Sequence, residues 1–284
     1  MDHFTRPYTD MINDNAFAVK DDRLYSQLGV RFDRRALPEV IALALADVQS
    51  PVFYVTCNLN HLRVLQSEPE FRAAYRRAAL ITLDSRPIQV ASRLRFGERL
   101  PLVTGADLFA ALFKRLRPGQ DRPFFVASSD ETGRQLCRVL IERGFPASAT
   151  AYYSPPFGFE RDADRSKRMV AQIQAHGATH LFMGVGAPKS ERWVAQHLDV
   201  LPPAHILCVG AALDFIAGAK TRAPAWLGQF GLEWLHRLLS EPSRLLPRYA
   251  GDAAVLAKVL AGQKLARVSL PIGPAIPDRN DAAC

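Results

Sequence analysis

Short apolar runs alternate with amphipathic stretches along most of the chain, and this alternation constrains the fold more than any other feature. Runs rich in β-branched and aromatic side chains are typical of buried strands, whereas apolar residues at helical spacing indicate helices. Repeated strand, helix, strand order predicts a Rossmann-like α/β fold, with a mainly parallel sheet covered by helices on both faces. The predicted strands are Val52–Thr56, Leu80–Leu83, Pro123–Ala127, Thr150–Tyr153, His180–Met183 and Ile206–Val209. The helices are predicted near Leu37–Val48, Leu59–Arg77, Gly105–Arg117, Glu131–Arg143, Asp162–His176 and Pro188–Leu198.

The two ends of the chain depart from this alternation. Residues 1–22 are polar and aperiodic, which predicts a flexible N-terminus, and a short extended piece is expected to follow. Residues 23–218 form the predicted α/β core. Residues 219–265 are predicted as a helical appendage punctuated by prolines, and residues 266–284 as a flexible tail.

Composition sets broad limits on the class of protein. With 48% apolar and 23% charged residues, a chain of 284 residues can bury one sizeable core. No apolar run approaches the roughly 20 residues that span a membrane, and the acidic N-terminus lacks a secretory signal, so a cytoplasmic location is expected. Four scattered cysteines without metal-ligand spacing favour reduced core thiols. The net charge of +8 indicates an anionic partner, whether nucleic acid, lipid or phosphorylated substrate.

Polar residues follow the first two predicted strands, where a parallel sheet places its sites. Thr56 and Asn58 end the first strand, although Asn58 also suits the N-cap of the next helix. Asp84 ends the second strand, and Arg86 is close enough in sequence to keep it ionised. A carboxylate held by a rigid strand suits a general base. The alternative is that Asp84 caps a helix beginning at Pro87.

A glycine-containing turn follows the fifth predicted strand. Gly184 and Gly186 allow close backbone approach, and Pro188 suits the first position of a helix. This turn is suited to binding a diphosphate, with Lys189 as a point charge and Ser190 beside it, although a purely structural turn remains the alternative. It lacks the third glycine of a dinucleotide fingerprint and the spacing of a P-loop.

Other strand ends give weaker signals. Thr104 and Asp107 begin a helix in a pattern that a capping box also explains. Gly210 and Asp214 follow the last strand, where Asp214 is a candidate acceptor for a sugar hydroxyl or a capping residue. The aromatic, proline-stiffened loop at 152–159 offers rings for stacking on a base or sugar, or for packing on the sheet rim.

An Asp-x-Asp pattern at residues 162–164 resembles a metal-binding motif. We interpret it instead as the acidic first turn of a helix, because no strand delivers it to the site. Metal ligands are therefore predicted to be absent.

The predicted appendage is apolar around much of its circumference between residues 225 and 240, and it carries two tryptophans and several arginines. Such a helix is either buried on the sheet or lies in an anionic membrane interface.

Several blocks of the sequence together resemble the WecG/TagA/CpsF glycosyltransferase family over roughly residues 28–249. The blocks are residues 56–58, Asp84, residues 103–107, 154–158, 184–189, 209–218, 222–224, 231–234 and 237–242. The resemblance implies a metal-independent, cofactor-free, inverting transfer from a UDP-sugar to an undecaprenyl-diphosphate-linked saccharide during cell-surface or exopolysaccharide synthesis. It implies a peripheral location on the inner face of the cell membrane.

The resemblance also implies roles for individual residues. Asp84 corresponds to the proposed base of the family, and Thr56 and Asn58 to pocket residues. Basic residues of the appendage are implied to hold the lipid diphosphate, and the best matches here are Arg222, Arg237 and Arg244. The chain departs from the family pattern at Ser85-Arg86, where glycine usually follows the aspartate, and at Ser190, where glutamine is usual. N-acetylmannosamine, its uronic acid and a hexose such as glucose therefore remain open as the donor sugar.

Two other classes are compatible with parts of the sequence. A Rossmann-like enzyme using NAD or S-adenosylmethionine is disfavoured by the missing third glycine. A basic nucleic-acid-binding module is disfavoured because the charge of the appendage lies among tryptophans and leucines, so no nucleic-acid partner is expected. A homo-oligomer is left open.

Overall fold

The structure, a computed structural model, describes residues 23–219 and 242–268. Within these residues the strands are β1 (Val52–Cys57), β2 (Leu80–Leu83), β3 (Pro123–Val126), β4 (Ala151–Tyr153), β5 (His180–Met183) and β6 (His205–Cys208). They form one sheet in the order β2-β1-β6-β5-β3-β4, and every paired neighbour is parallel. The predicted α/β fold class is confirmed. All six predicted strands are present, and each end lies within one residue of its predicted position.

Helices connect the strands and cover both faces of the sheet. In the first half of the chain they are α1 (Arg23–Leu28), α2 (Leu37–Ala44), α3 (Leu59–Ser67), α4 (Pro69–Arg77), α5 (Arg86–Phe96) and α6 (Gly105–Arg115). In the second half they are α7 (Asp130–Glu142), α8 (Ala163–His176), α9 (Lys189–His197), α10 (Ala212–Ile216) and α11 (Pro242–Leu260).

Two predictions about local structure were wrong. The segment after residue 22 was expected to be extended, but Arg23–Leu28 is a helix because Leu24 and Leu28, one turn apart, are both buried in the core. The single helical stretch predicted at 59–77 is two helices that meet at Glu68. Pro69 disfavours helical geometry in the residue before it, and Glu68 is accordingly extended.

The core is divided by the sheet into two apolar clusters, one on each face. On one face Phe125 and Phe182 of neighbouring strands stack at 5.5 Å between ring centroids, and Phe109 of α6 meets Phe182 edge-on. On the other face Trp193 of α9 is completely buried. Cys57 and Cys208 are buried free thiols, as predicted.

The C-terminal described segment packs on the core. Helix α11 contacts α3 and α5, and its Val255 and Val259 are buried. The chain then returns beside α1, where the Val268 amide donates to the Gly29 carbonyl at 2.7 Å. The packed part therefore extends at least to Val268, past the predicted start of the tail. Among the described helices, none is both long and apolar enough to cross a membrane.

Candidate active site

The carboxyl ends of all six strands lie at one edge of the sheet because the strands are parallel. The order β2-β1-β6-β5 places Asp84, after β2, three strand spacings from the glycine turn after β5. At the usual spacing of parallel strands this separation is about 14 Å. Both features therefore belong to the same edge, with the ends of β1 and β6 between them.

Asp84 is half-buried at the end of the edge strand. Its backbone amide donates to the carbonyl of Cys57 at 2.8 Å, which fixes it beside the end of β1. The capping role that would explain an acid here belongs to Ser85, whose Oγ accepts from the Ile88 amide at 3.4 Å. Helix α5 begins at Arg86, one residue before the predicted start, and the Arg86 guanidinium donates to Gln89 Oε1 at 2.7 Å.

Thr56 joins three elements at this edge. Its hydroxyl donates to the carbonyl of Cys208, at the end of β6, at 3.2 Å. A Cβ added to Gly105, the first residue of α6, would lie 3.0 Å from Thr56 Oγ1 and 3.2 Å from the Val209 carbonyl oxygen. Both distances are tighter than an ordinary van der Waals contact, so a side chain here would require the ends of β1 and β6 or the start of α6 to shift by a few tenths of an ångström. Asn58 caps α3 by accepting from the His61 amide at 3.2 Å.

Thr104 and Asp107 form the predicted cap of α6. The Thr104 hydroxyl accepts from the Asp107 amide at 3.0 Å and donates to Asp107 Oδ2 at 2.9 Å. These contacts place both side chains at the carboxyl edge and account for them structurally.

The glycine turn after β5 depends on its two glycines for different reasons. A Cβ on Gly184 would lie 2.7 Å from Leu213 Cδ2, so this position is closed by packing within the protein. Gly186 has φ of +81° with open space around it, so its requirement is conformational. Helix α9 begins at Lys189, one residue later than predicted.

Lys189 faces the aromatic loop that follows β4. Its ammonium lies 5.1 Å from the ring centroid of Phe157, a cation–π distance. Phe157 is 97% exposed, so it extends from the loop rather than packing on the sheet rim. The sequence singled out this loop but not this residue.

Asp214 is 4% exposed and ties α10 to the loop after β3. It accepts hydrogen bonds from the Ser128 hydroxyl at 2.5 Å and the Thr132 hydroxyl at 3.0 Å. Nearby, the Gly210 amide donates to the Met183 carbonyl at 3.1 Å and holds the ends of β5 and β6 together. A sugar hydroxyl that binds Asp214 would share this carboxylate with the hydroxyls of Ser128 and Thr132.

Behind the edge lies a buried polar cluster that the sequence analysis missed. Glu191 of α9 is 2% exposed, and its Oε1 lies 3.9 Å from His61 Nε2. His61 Nδ1 shares a 2.7 Å hydrogen bond with the Tyr75 hydroxyl. Within the described part of the chain, Glu191 Oε2 and the Oγ of adjacent Ser190 are buried without a hydrogen-bond partner.

Burial determines the charge of this cluster. It raises the pKa of Glu191 to about 7 and, aided by the positive charge of Arg248, lowers the pKa of His61 to about 3. His61 is therefore uncharged near neutral pH, so its contact with Glu191 is not an ion pair, and Glu191 itself is protonated below about pH 7. Burial also raises the pKa of Cys57 to about 12, with smaller contributions from the negative charges of Asp84 and Glu191. Cys57 is thus close enough for the charges of both carboxyl groups to affect its pKa.

A sequence signal for Glu191 existed. It shares a helical face with Val194, three residues later, and Ala195, four residues later, and both are buried. Burying an acid on the apolar face of a predicted helix costs free energy, so an acid at such a position is a candidate functional residue.

The Asp-x-Asp pattern has the structural explanation expected for it. Asp162 caps α8 by accepting from the amides of Asp164 and Arg165, and it pairs with the Arg165 side chain at 2.7 Å. In residues 23–219 and 242–268, no three His, Cys, Asp or Glu side chains cluster as metal ligands would.

The predicted lipid-diphosphate residues fall largely beyond what the structure describes. Arg222 and Arg237 lie outside the described residues. Arg244 belongs to α11, but its side chain is not among those described.

The chain also matches a known protein family over most of its length. The family model described as the glycosyl transferase WecG/TagA/CpsF family matches residues 25–269, which include the whole sheet, its carboxyl edge and α11. A match over this much of the chain shows that the protein belongs to the WecG/TagA/CpsF family of glycosyltransferases.

Proposed function

We propose that the protein is an inverting glycosyltransferase that moves a sugar from a UDP-sugar to an undecaprenyl-diphosphate-linked saccharide. The product serves the synthesis of a cell-surface or exopolysaccharide, and the enzyme works on the inner face of the membrane. Its donor sugar is N-acetylmannosamine, its uronic acid or a hexose such as glucose. Family membership supports the transferase class, and the site supports the division of roles that follows.

The observation that carries this proposal is the position of Asp84. It ends an edge strand at the carboxyl edge, while Ser85 performs the capping that would otherwise explain it. Asp84 acts as the general base that removes the proton of the acceptor hydroxyl. The acceptor oxygen then forms a bond to the anomeric carbon on the face opposite UDP, and UDP leaves with the electron pair of the broken bond.

The departing diphosphate gains negative charge, which a helix N-terminus and a cation can stabilise. The first turn of α9 and the Lys189 ammonium supply both, and Gly186 leaves open space before them. Phe157, beside Lys189, offers an exposed ring to the uracil. Because these groups can carry the leaving-group charge without a metal ion, we propose metal-independent transfer.

At the other end of the site, Thr56 and Asn58 at the end of β1 and Arg86 at the start of α5 are proposed to line the acceptor side near Asp84. The arginines of the appendage, Arg222, Arg237 and Arg244, are proposed to hold the lipid diphosphate, on the strength of the family resemblance. Ser190, Gly210 and Asp214 lie toward the donor side.

The test is Asp84→Asn, assayed with a panel of UDP-sugars and a prenyl-diphosphate-linked acceptor, with and without EDTA. Loss of the base should lower kcat by about two to four orders of magnitude. The melting temperature should stay close to that of the wild type because Asp84 does not cap α5.

A matched control is Asp130→Asn, an exposed acid in the first turn of α7 at the same edge. It should leave kcat unchanged within about twofold. Activity of Asp84→Asn within a few-fold of wild type would refute the assignment of the base, and loss of wild-type activity in EDTA would refute metal independence.

A further inference from the structure

The outward face of α5 combines exposed apolar side chains with arginines. Val90 is 49% exposed and Leu94 is 74% exposed. The two lie one turn apart on the same side of the helix. At about 100° per residue, Arg93 flanks Val90 on the side away from Leu94, whereas Ile88 and Ala91 point to the core and are buried. We refer to Val90, Arg93 and Leu94 as the α5 outer face.

Positive charge dominates the surroundings of this face. Residues 86–99 contain four arginines and a single acid, Glu98. That acid is engaged with Arg34 at 2.5 Å. Arg93, Arg95 and Arg99 are exposed. A surface of this kind attracts anionic groups while presenting apolar side chains to them.

The end of α11 also combines positive charge with exposed apolar side chains. A Cβ on Gly262 would lie 2.5 Å from the Arg95 guanidinium, so the turn after α11 abuts the end of α5. Next to that turn, Lys258 and Lys264 are exposed and Leu260 is 43% exposed. Cations and exposed leucines therefore recur on two adjoining elements.

We propose that the α5 outer face rests on an anionic lipid surface and so orients the active site toward its acceptor. This inference depends on the proposed function, because a lipid-linked acceptor presents its sugar at the level of the headgroups. Helix α5 begins two residues after Asp84, and its rise of about 1.5 Å per residue places Leu94 about 12 Å from the helix start. The leucine and valine enter the acyl boundary while the arginines bind headgroup phosphates.

The charge distribution favours lipid over a second copy of the chain. Two copies meeting through this face would bring like-charged arginines together, which opposes association. Anionic headgroups neutralise the same charges.

The experiment measures co-sedimentation of the full chain with phosphatidylcholine vesicles, with or without phosphatidylglycerol. Leu94→Glu and Val90→Glu should each lower the partition onto phosphatidylglycerol vesicles by about tenfold or more, since an apolar anchor becomes an anion. Arg93→Glu should lower it at least about fivefold, and added salt should weaken wild-type binding. Binding to pure phosphatidylcholine should be weaker for every variant.

Matched controls are Ile141→Glu and Val200→Glu, which alter apolar side chains that are 45% and 51% exposed elsewhere on the surface. They should bind vesicles as the wild type does. If Leu94→Glu and Val90→Glu bind vesicles as well as the wild type does, the proposal is overturned. It is also overturned if the wild type forms an oligomer that dissociates on dilution, and these variants abolish the oligomer without altering vesicle binding.

A water-soluble, short-chain acceptor separates this inference from the proposed function. Leu94→Glu should transfer sugar to it as fast as the wild type, but more slowly to a full-length acceptor in vesicles. If the wild type transfers no sugar to either acceptor, the proposed function fails, while the partition data still decide the role of the α5 outer face.

Discussion

At the rim of the candidate site, Asp84 and Lys189 are half-buried and Phe157 is almost fully exposed, whereas the floor behind them is closed to solvent. The floor consists of His61, Tyr75 and Glu191, all of which are buried. Water near the rim can support charged groups, whereas burial shifts the pKa of each floor group toward its neutral form.

This difference in burial separates the two carboxyl groups of the site, Asp84 at the rim and Glu191 in the floor. Both Asp84 and Glu191 lie within electrostatic reach of Cys57. If both were ionised, each would disfavour the charge of the other. Protonation of Glu191 below about pH 7 removes this repulsion, which suits the base role proposed for Asp84. Changes in the floor should therefore alter stability and its pH dependence, and changes in the rim should alter catalysis and binding.

The largest expected effect in the floor concerns His61 in acid. Burial lowers its folded pKa to about 3, whereas the unfolded chain binds a proton near pH 6.5. The stability contribution is therefore present above about pH 6.5 and is lost as the pH falls toward 3. Over this window the linkage amounts to about 5 kcal/mol. His61→Gln should flatten the fall in unfolding free energy between pH 6.5 and 4, measured by urea titration.

Tyr75→Phe is the control for His61. It removes the hydroxyl that His61 contacts at 2.7 Å but keeps the buried imidazole. Its stability should fall by about 1 kcal/mol at every pH, with the acid slope of the wild type retained. An equal acid slope in His61→Gln and wild type would mean that His61 is not buried in the neutral form.

Glu191 should give a smaller effect of the opposite sign. Its folded pKa of about 7 lies above the ordinary value of 4.5, so stability is full below about pH 4.5 and is lost as the pH rises to 7. The loss amounts to about 3 kcal/mol. Glu191→Gln cannot ionise, so its stability relative to wild type should increase by that amount between pH 4 and pH 8.

Glu142→Gln is a suitable comparison because Glu142 is an exposed acid on α7 that pairs with Arg138. Its effect should stay within about 0.5 kcal/mol and should not grow with pH in this window. A constant difference between Glu191→Gln and wild type from pH 4 to 8 would show that folding does not raise the pKa of Glu191.

Rim and floor also differ in how far the sequence predicts them. The strands were predicted to within one residue because apolar β-branched runs end abruptly in polar residues, and those residues form the rim. Strand order was not predicted, because neighbours such as β1 and β6 pair residues about 150 positions apart. The contact of Glu191 with His61 depends on that order, and so the floor could not be derived from local pattern.

The role of individual rim residues was also hard to predict, because two adjacent side chains can compete for one helix cap. Asp84 and Ser85 are both good N-cap residues, and sequence alone does not decide which of two adjacent side chains reaches the first turn. The structure gives the cap to Ser85. The short helix Arg23–Leu28 was missed because six residues provide too few turns for a periodic signal.

The smallest expected effect belongs to the most exposed part of the rim. If Phe157 stacks on the uracil of the donor, Phe157→Ala should weaken UDP binding about tenfold, a typical contribution of one base–aromatic stack. KM for the donor should rise while kcat changes little, because the ring contacts the donor both before and during transfer. Stability should be unchanged, since the 97% exposed side chain buries almost no surface.

Phe157→Tyr preserves the ring and should bind UDP as the wild type does, and Ile141→Ala removes an exposed apolar side chain elsewhere. Calorimetric titration of UDP into each variant measures the effect directly. Equal affinities in Phe157→Ala and wild type would remove the aromatic loop from the donor site. Lys189, 5.1 Å from the ring, would then have to bind the diphosphate without an adjacent aromatic wall.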